Sequence, residues 1–328
     1  MHHIVVLDAD TLAGTDLSVL QIPASTLQIF PHTHADDLPA RLQQATIVVS
    51  NKVLLSAEML AMAPQLQLIC IAATGINNVD LAAATARNIQ VCHVRDYALD
   101  AVPQHAMALL LALNNHIVPQ QQAVYQGDWS RSSVFCLHQQ PIQSLAGKTF
   151  TVVGYGGLGQ ATAALAQAFG MQICLAERPD ASTIRPGRMA FRQALACADV
   201  LSLHCPAVSG APAIIGAEQL SWLKPTALLL NTARGALIDE TALLKALQQK
   251  QLAGAALDVL SSEPPDPQHP LLQAQLPNLL ISPHVAWATK ESMQRLVAQL
   301  LENILAFNAG APTRTCNIIN PCPPSRSF

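Results

Sequence analysis

The sequence has no CxxC pair and no cysteine–histidine cluster at zinc-finger spacing, although it contains eight cysteines. A disulfide framework and a structural metal are therefore unsupported, and reduced thiols in a cytoplasmic setting are the expectation. Charge is scarce as well. Charged residues make up 12% of the 328, and a formal net charge of −3 creates no basic field to attract nucleic acid or an anionic membrane. Long apolar runs are missing too. The stretch 101–127 carries no charge, but its apolar block ends at Leu113 and is broken by Asn114, Asn115, His116 and Pro119. A membrane-spanning helix needs about 20 mostly apolar residues, so this reads as a buried or subunit-facing helix. The opening MHHIVVLDAD holds four apolar residues before Asp8, too few for the core of a secretory signal, and no export is expected. There is no internal repeat, and no low-complexity segment beyond the QQQ at 120–122.

Apolar residues, by contrast, make up 51% of the chain. That composition belongs to globular proteins with large cores, and the length suits about two domains of roughly 150 residues each. Apolar runs at 4–8, 46–51, 66–74 and 89–94 alternate with helical patterns near 36–45, 56–63 and 79–87. The alternation predicts parallel strands covered by helices. A single long helix is expected from Pro103 to Tyr125 as a bridge between domains, with the proline in its first turn, where a missing N–H costs nothing.

The stretch TVVGYGGLGQATAALAQAFGMQICLAER, residues 151–178, then reads as strand, glycine-rich turn, helix and a second strand ending in an acid. In such a turn Gly154 permits the tight bend, Gly156 lets a pyrophosphate approach the backbone, and Gly159 allows helix and strand to pack closely. Phosphates would rest at the positive end of the helix that opens near Leu158. Glu177 follows Gly159 by 18 residues, at the place where an acid accepts hydrogen bonds from the ribose hydroxyls of NAD and repels the extra phosphate of NADP. Arg178 beside it softens that preference, so NAD is expected and NADP less so.

Further strand candidates follow at 200–205, 227–232, 253–259 and 279–283, which brings the count beyond residue 150 to six. A dinucleotide domain normally carries its fingerprint near its start. A fingerprint 150 residues into the chain therefore predicts an inserted domain: 1–100 as the first part of one α/β domain, 101–287 as the dinucleotide domain, and 288–328 as a returning helix with a loosely ordered tail.

Six stretches in order resemble the D-isomer-specific 2-hydroxyacid dehydrogenase family: ATGINNVDLAAA at 73–84, the GYGGLG turn, LSLHCP at 201–206, LKPTALLLNTARGALIDETAL at 223–243, DVLSSEPPDPQHPLL at 258–272 and PNLLISPHVAWA at 277–288. Asn77, Asn78, the NK at 51–52, GDWSRSSVFC at 127–136 and Trp287 are most similar to the glycerate dehydrogenase, or hydroxypyruvate reductase, subgroup. The resemblance implies two doubly wound parallel-sheet domains, a Rossmann NAD domain inserted into a flavodoxin-like substrate domain. It implies catalytic roles for Arg234, Glu263 and His284. It places Gly154, Gly156, Gly157, Leu158, Gly159, Pro206, Thr232, Ala233 and Asp258 against the cofactor, with Asp258 on the nicotinamide carboxamide. It gives Gly75 and Ile76 as donors to the substrate carboxylate.

The physical chemistry of the three catalytic candidates can be argued from the residues. Arg234 and His284 both follow predicted strands, at the carboxyl edge where open α/β sheets bind ligands. A guanidinium fork holds a 2-oxo acid's carboxylate and polarises its carbonyl better than a lysine point charge. His284 can donate a proton to the carbonyl oxygen as hydride arrives, and Glu263 would orient the ring and favour its imidazolium form. His204 is read as lining the cofactor site with no proton to transfer. The expectation is an NAD-dependent reductase of hydroxypyruvate or a similarly small 2-oxo acid, using NADH and assembling as a homodimer, with no metal. The alternatives are D-lactate or phosphoglycerate specificity and an NAD-responsive corepressor. Ile76, Ala98 and Ala101 depart from the subgroup's pattern around the substrate's side chain.

Overall fold

The apolar runs of the first hundred residues become parallel strands buried on both faces, because helices cover each side of the sheet. The computed structural model describes residues 1–12, 14–208 and 210–310 and the backbone of 317–320. The chain divides into two units, Leu99–Trp287 and Met1–Ala98 joined by the chain from Ala288. The first unit begins with β1 (His2–Val6), β2 (Ser25–Ile29), β3 (Ile47–Ser50), β4 (Leu68–Ile71) and β5 (Gln90–His93), with α1 (Leu38–Leu42), α2 (Ala57–Ala61) and α3 (Leu81–Ala86) between them. Its parallel strands lie in the order 2-1-3-4-5, the flavodoxin-like arrangement. Strand β2 is an addition to the strands that the apolar runs predict. It is an edge strand in which Thr26 to Ile29 are partly or well exposed, so its apolar pattern is diluted by polar residues.

The second unit opens with two helices where one was expected, α4 (Ala101–Asn114) and α5 (Ile117–Tyr125). His116 stands between them in the left-handed region at φ 51°, a conformation that His and Asn tolerate better than most residues and that no helix can run through. Pro119 then falls in the first turn of α5, where it does no harm. Helix α4 lies within this unit, burying Met107, Leu110 and Leu113 with Phe150, Val152 and Ala163.

After it come β6 (Thr149–Val153), α6 (Gly157–Ala168), β7 (Gln172–Ala176), α7 (Phe191–Cys197), β8 (Val200–Leu203), α8 (Ala217–Trp222), β9 (Leu228–Asn231), α9 (Glu240–Gln248), β10 (Gly254–Leu257), α10 (Pro270–Gln273) and β11 (Leu279–Ile281). All six strands are parallel, in the order β7-β6-β8-β9-β10-β11. A one-residue parallel bridge from Ala176 to Met189 sits outside β7. It occupies the place of the third strand in a doubly wound dinucleotide fold, reduced to a single pair. Neighbouring residues of each strand serve opposite faces. Val152, Leu230 and Ala256 pack with α4 and α6, while Val153, Leu229 and Ala255 pack with α7, α8 and α9.

Helix α11 (Lys290–Asn308) then returns to the first unit. There Arg295 Nε donates to Tyr97 O at 2.9 Å, Gln299 Nε2 to Arg95 O at 2.9 Å and Asn303 Nδ2 to His93 O at 3.2 Å. The tail corrects one expectation. Its backbone forms β12 (Asn317–Asn320), paired antiparallel with β5, whose outer edge would otherwise lack a neighbour. The remainder of the expected loose tail lies outside the described residues.

Candidate active site

The turn after β6 is shaped by contacts that leave no room for side chains at two of its glycines. Gly154 has φ +92°, and a Cβ there would stand 2.6 Å from His204 O; one on Gly159 would stand 2.1 Å from Gly154 O. Gly156 differs. A Cβ there would meet nothing within 4 Å, so protein packing does not account for this glycine, whereas the close approach of a ligand does. Gly156 caps α6 and Gly157 begins it, which points the helix's first N–H groups into that open space. Leu158 is partly buried in the same turn, and Pro206 is exposed just beyond β8.

Two further observations fit a bound dinucleotide. Thr232, just past β9, has a buried Oγ1 with no hydrogen-bond partner among the described residues, which a ligand hydroxyl or amide would satisfy. His204 donates to or accepts from Ser202 Oγ at 2.8 Å, and desolvation of its ring pushes its pKa down to about 4. It is neutral at working pH and adds no charge beside the phosphate turn.

Glu177 follows β7 as the spacing predicts, but it is buried, and its carboxylate is clasped by Arg185, whose part in the site no sequence pattern marks. The Arg185 guanidinium, together with the Arg178 N–H, holds the Glu177 carboxyl well below the usual carboxylate range.

Three neighbouring strands, β9, β10 and β11, carry the remaining candidates at their carboxyl ends. Arg234 lies in the turn after β9. Asn231, fully buried, staples that turn by accepting from Ala233 N at 3.0 Å and donating to Arg234 O at 2.8 Å. The Arg234 guanidinium is half-buried, donates to Ala233 O at 2.6 Å, and pairs with no carboxylate among the described residues. Asp239, a conceivable partner in the sequence, instead caps α9 through Ala242 N.

Beyond β10, Glu263 accepts from Leu260 N at 2.9 Å on Oε1, and its Oε2 lies 2.6 Å from His284 Nδ1. His284 follows β11 with its side chain 26% exposed. Its Nε2 has no hydrogen-bond partner among the described residues. The backbone of His284 is left-handed at φ 55°, and Asp258 holds it there. His284 N donates to Asp258 O at 2.8 Å, while the Asp258 carboxylate accepts from Ser282 Oγ at 2.6 Å, Val285 N at 3.0 Å and Ala286 N at 2.9 Å. Burial opposes ionisation of Asp258, but His105, Ser282 and the two backbone N–H groups outweigh it and hold its carboxyl low. The sequence gives no sign of this anchoring, because two of the donors are main-chain groups, at separations of 27 and 28 residues.

The Arg234 turn and the Glu263 loop are locked together at Gly235. A Cβ on Gly235 would fall 1.9 Å from Leu260 C and 2.3 Å from Ser261 N, both backbone atoms with no freedom to yield. Gly235→Ala is therefore expected to cost at least about 1–3 kcal/mol of stability by overpacking and to displace both segments. A thermal melt with a parallel activity assay checks this; an unchanged melting temperature with full activity would contradict it.

The first unit has a loop cluster at the carboxyl edge of its own sheet. Asp8, 7% exposed, accepts from Asn51 N at 2.9 Å and Lys52 N at 2.7 Å and so fixes the turn after β3. Asn78 Nδ2 donates to Val53 O at 3.1 Å and ties that turn to the loop after β4. In that loop the N–H groups of Gly75 and Ile76 donate to nothing among the described residues.

A sequence profile of the D-isomer specific 2-hydroxyacid dehydrogenase family, NAD binding domain, matches residues 107–286, more than half of the chain. The chain belongs to that family. It is 43% identical over 293 residues to glycerate dehydrogenase of Methylorubrum extorquens, covering 86% of this chain and 91% of that one. It is 33% identical over 321 residues to hydroxypyruvate reductase of Blautia hydrogenotrophica, covering 96% and 99%. The crystal structure of the TT0316 protein from Thermus thermophilus superposes with a TM-score of 0.85 at 32% identity, covering 97% of this chain and 99% of that one. The protein is thus an oxidoreductase acting on the CH–OH group of 2-hydroxy acids, with an NAD-binding domain of the two-sheet D-2-hydroxyacid dehydrogenase fold. Among the described residues no helix is long and apolar enough to cross a membrane.

Proposed function

We propose that the protein reduces hydroxypyruvate, or a similarly small 2-oxo acid, to the D-2-hydroxy acid with NADH, and that Arg234, Glu263 and His284 carry the reaction. One arrangement supports this reading above all: an arginine with no carboxylate partner among the described residues and a His284–Glu263 pair at 2.6 Å, set on neighbouring strand ends of the dinucleotide sheet. NADH supplies the hydride when bound.

The chain's own groups do the rest. Arg234 holds the substrate carboxylate and draws electron density toward the carbonyl oxygen. His284 gives the proton from Nε2 to that oxygen, and Glu263, bonded at Nδ1, fixes the ring orientation and supports its positive charge. The phosphate turn from Gly154 to Gly159, with Pro206, Thr232, Ala233 and Asp258, holds the cofactor.

The subgroup relatives support hydroxypyruvate, and an NADH-oxidation screen tests it. Hydroxypyruvate should surpass pyruvate, glyoxylate and phosphohydroxypyruvate in kcat/KM. A preference for pyruvate or the phosphorylated acid would move the enzyme to the lactate or phosphoglycerate type. Absence of turnover on all four would favour the corepressor reading.

A cytoplasmic homodimer is part of the proposal. Between Ile117 and Ile142 the second unit exposes Tyr125 at 83%, Phe135 at 91% and Trp129 at 52%, more apolar surface in one segment than a soluble monomer normally leaves open. Sedimentation velocity is expected to give twice the mass of one chain; a monomer at micromolar concentration would contradict it.

A further inference from the structure

Glu177, at the carboxyl end of β7, is 2% exposed, and its own chain fills it with donors. Oε1 accepts from Arg178 N at 2.8 Å and Arg185 Nη2 at 2.5 Å; Oε2 accepts from Arg185 N at 3.2 Å and Arg185 Nε at 2.8 Å. A carboxylate has about four lone-pair sites, so none is left over. The Arg185 side chain is itself 51% exposed, and its Nη1 has no partner among the described residues. From Glu177 to Arg188 the chain carries three arginines against two acids.

The end of this strand is where the adenosine ribose of a dinucleotide lies. The two common dinucleotides make opposite demands on it. A ribose 2′-hydroxyl is a neutral donor that needs a vacant acceptor site on Glu177. Only Arg185 can vacate one, because the other two donors are fixed main-chain N–H groups. A 2′-phosphate needs cationic donors and no bare negative charge nearby. The inner edge of the Arg185 guanidinium neutralises Glu177 while its outer edge stays open to solvent, with Arg178 exposed beside it.

We propose that Arg185 is a specificity-determining residue that lets the site accept NADPH alongside NADH, by masking Glu177 and offering its outer guanidinium edge to the 2′-phosphate. This rests on the reading of the protein as a dinucleotide-dependent reductase. It differs from the simpler expectation that Glu177 alone repels the phosphate.

Equilibrium binding tests it without catalysis, by titrating NADH and NADPH into the enzyme and following nucleotide fluorescence. Wild type should bind both, with dissociation constants within about tenfold of each other. In Arg185→Gln the ratio Kd(NADPH)/Kd(NADH) should rise by at least about tenfold, since a charged fork facing a phosphate is replaced by a neutral amide. Arg185→Lys keeps the charge but not the fork and should raise the ratio less than Arg185→Gln does, which guards against a misfolded glutamine variant. Glu177→Gln should move the ratio the other way. The proposal is overturned if Arg185→Gln leaves the ratio unchanged, weakens both nucleotides equally, or if wild type does not bind NADPH at all. A wild type that binds neither nucleotide would instead remove the reductase reading beneath it.

Discussion

Arg234→Gln is expected to lower kcat/KM for the 2-oxo acid by at least about a hundredfold. Among the described residues the guanidinium donates to Ala233 O at 2.6 Å and faces no carboxylate. Its remaining donors are free for a substrate. A bidentate, charge-assisted contact that also polarises the carbonyl is worth roughly 3 kcal/mol or more, since hydrogen bonds to charged groups contribute about 1.5–3 each. At about 1.4 kcal/mol per decade of rate, that is two powers of ten or more. The NADH dissociation constant should change little, because Asn231, and not the guanidinium, staples the turn that carries Thr232 and Ala233. Arg234→Lys should recover only part of the loss, as an ammonium cannot form the planar fork. Steady-state kinetics with a parallel NADH titration checks this. Near-normal efficiency in Arg234→Gln would show that the arginine only braces its turn.

His284→Gln should remove most activity at every pH, by about a hundredfold to ten-thousandfold, the range for a positioned acid–base group. Glu263→Gln should act more mildly. The Glu263 carboxylate, 2.6 Å from Nδ1, orients the ring so that Nε2 can serve the substrate oxygen. Glutamine keeps the shape and loses the charge, so kcat for reduction should fall by about tenfold, less than in His284→Gln, with KM little changed. His204 is the control. With its pKa pushed down to about 4, it has no proton to give across the working range, and His204→Gln should leave kcat close to wild type. The measurement is kcat and KM for all four enzymes. An unchanged kcat in Glu263→Gln, or wild-type activity in His284→Gln, would contradict the proton path.

Which parts of this were legible in the sequence follows from how local each signal is. The six strands of the second sheet read directly, because buried parallel strands are unbroken apolar runs. Edge elements did not. Strand β2 mixes Thr26 and Gln28 with its apolar residues, and the third dinucleotide strand survives only as the Ala176–Met189 bridge, too short to leave a pattern. The break at His116 hinges on one left-handed residue inside a run of good helix formers. At the site, the sequence could place residues beyond strand ends, but not the groups that hold them. Asp258 gathers main-chain donors from the His284 loop, Asn231 staples the Arg234 turn, and Arg185 reaches back eight residues to cover Glu177. Those partnerships depend on where loops cross, which no periodicity encodes.

Delivery of hydride and proton to a small 2-oxo acid, as proposed, should form the D product. The most direct measurement is the stoichiometry and chirality of the product when purified enzyme consumes NADH with hydroxypyruvate. One D-glycerate should form for each NADH oxidised, and none in the His284→Gln enzyme over the same time. Formation of L-glycerate, or NADH oxidation that survives His284→Gln at the wild-type rate, would contradict it.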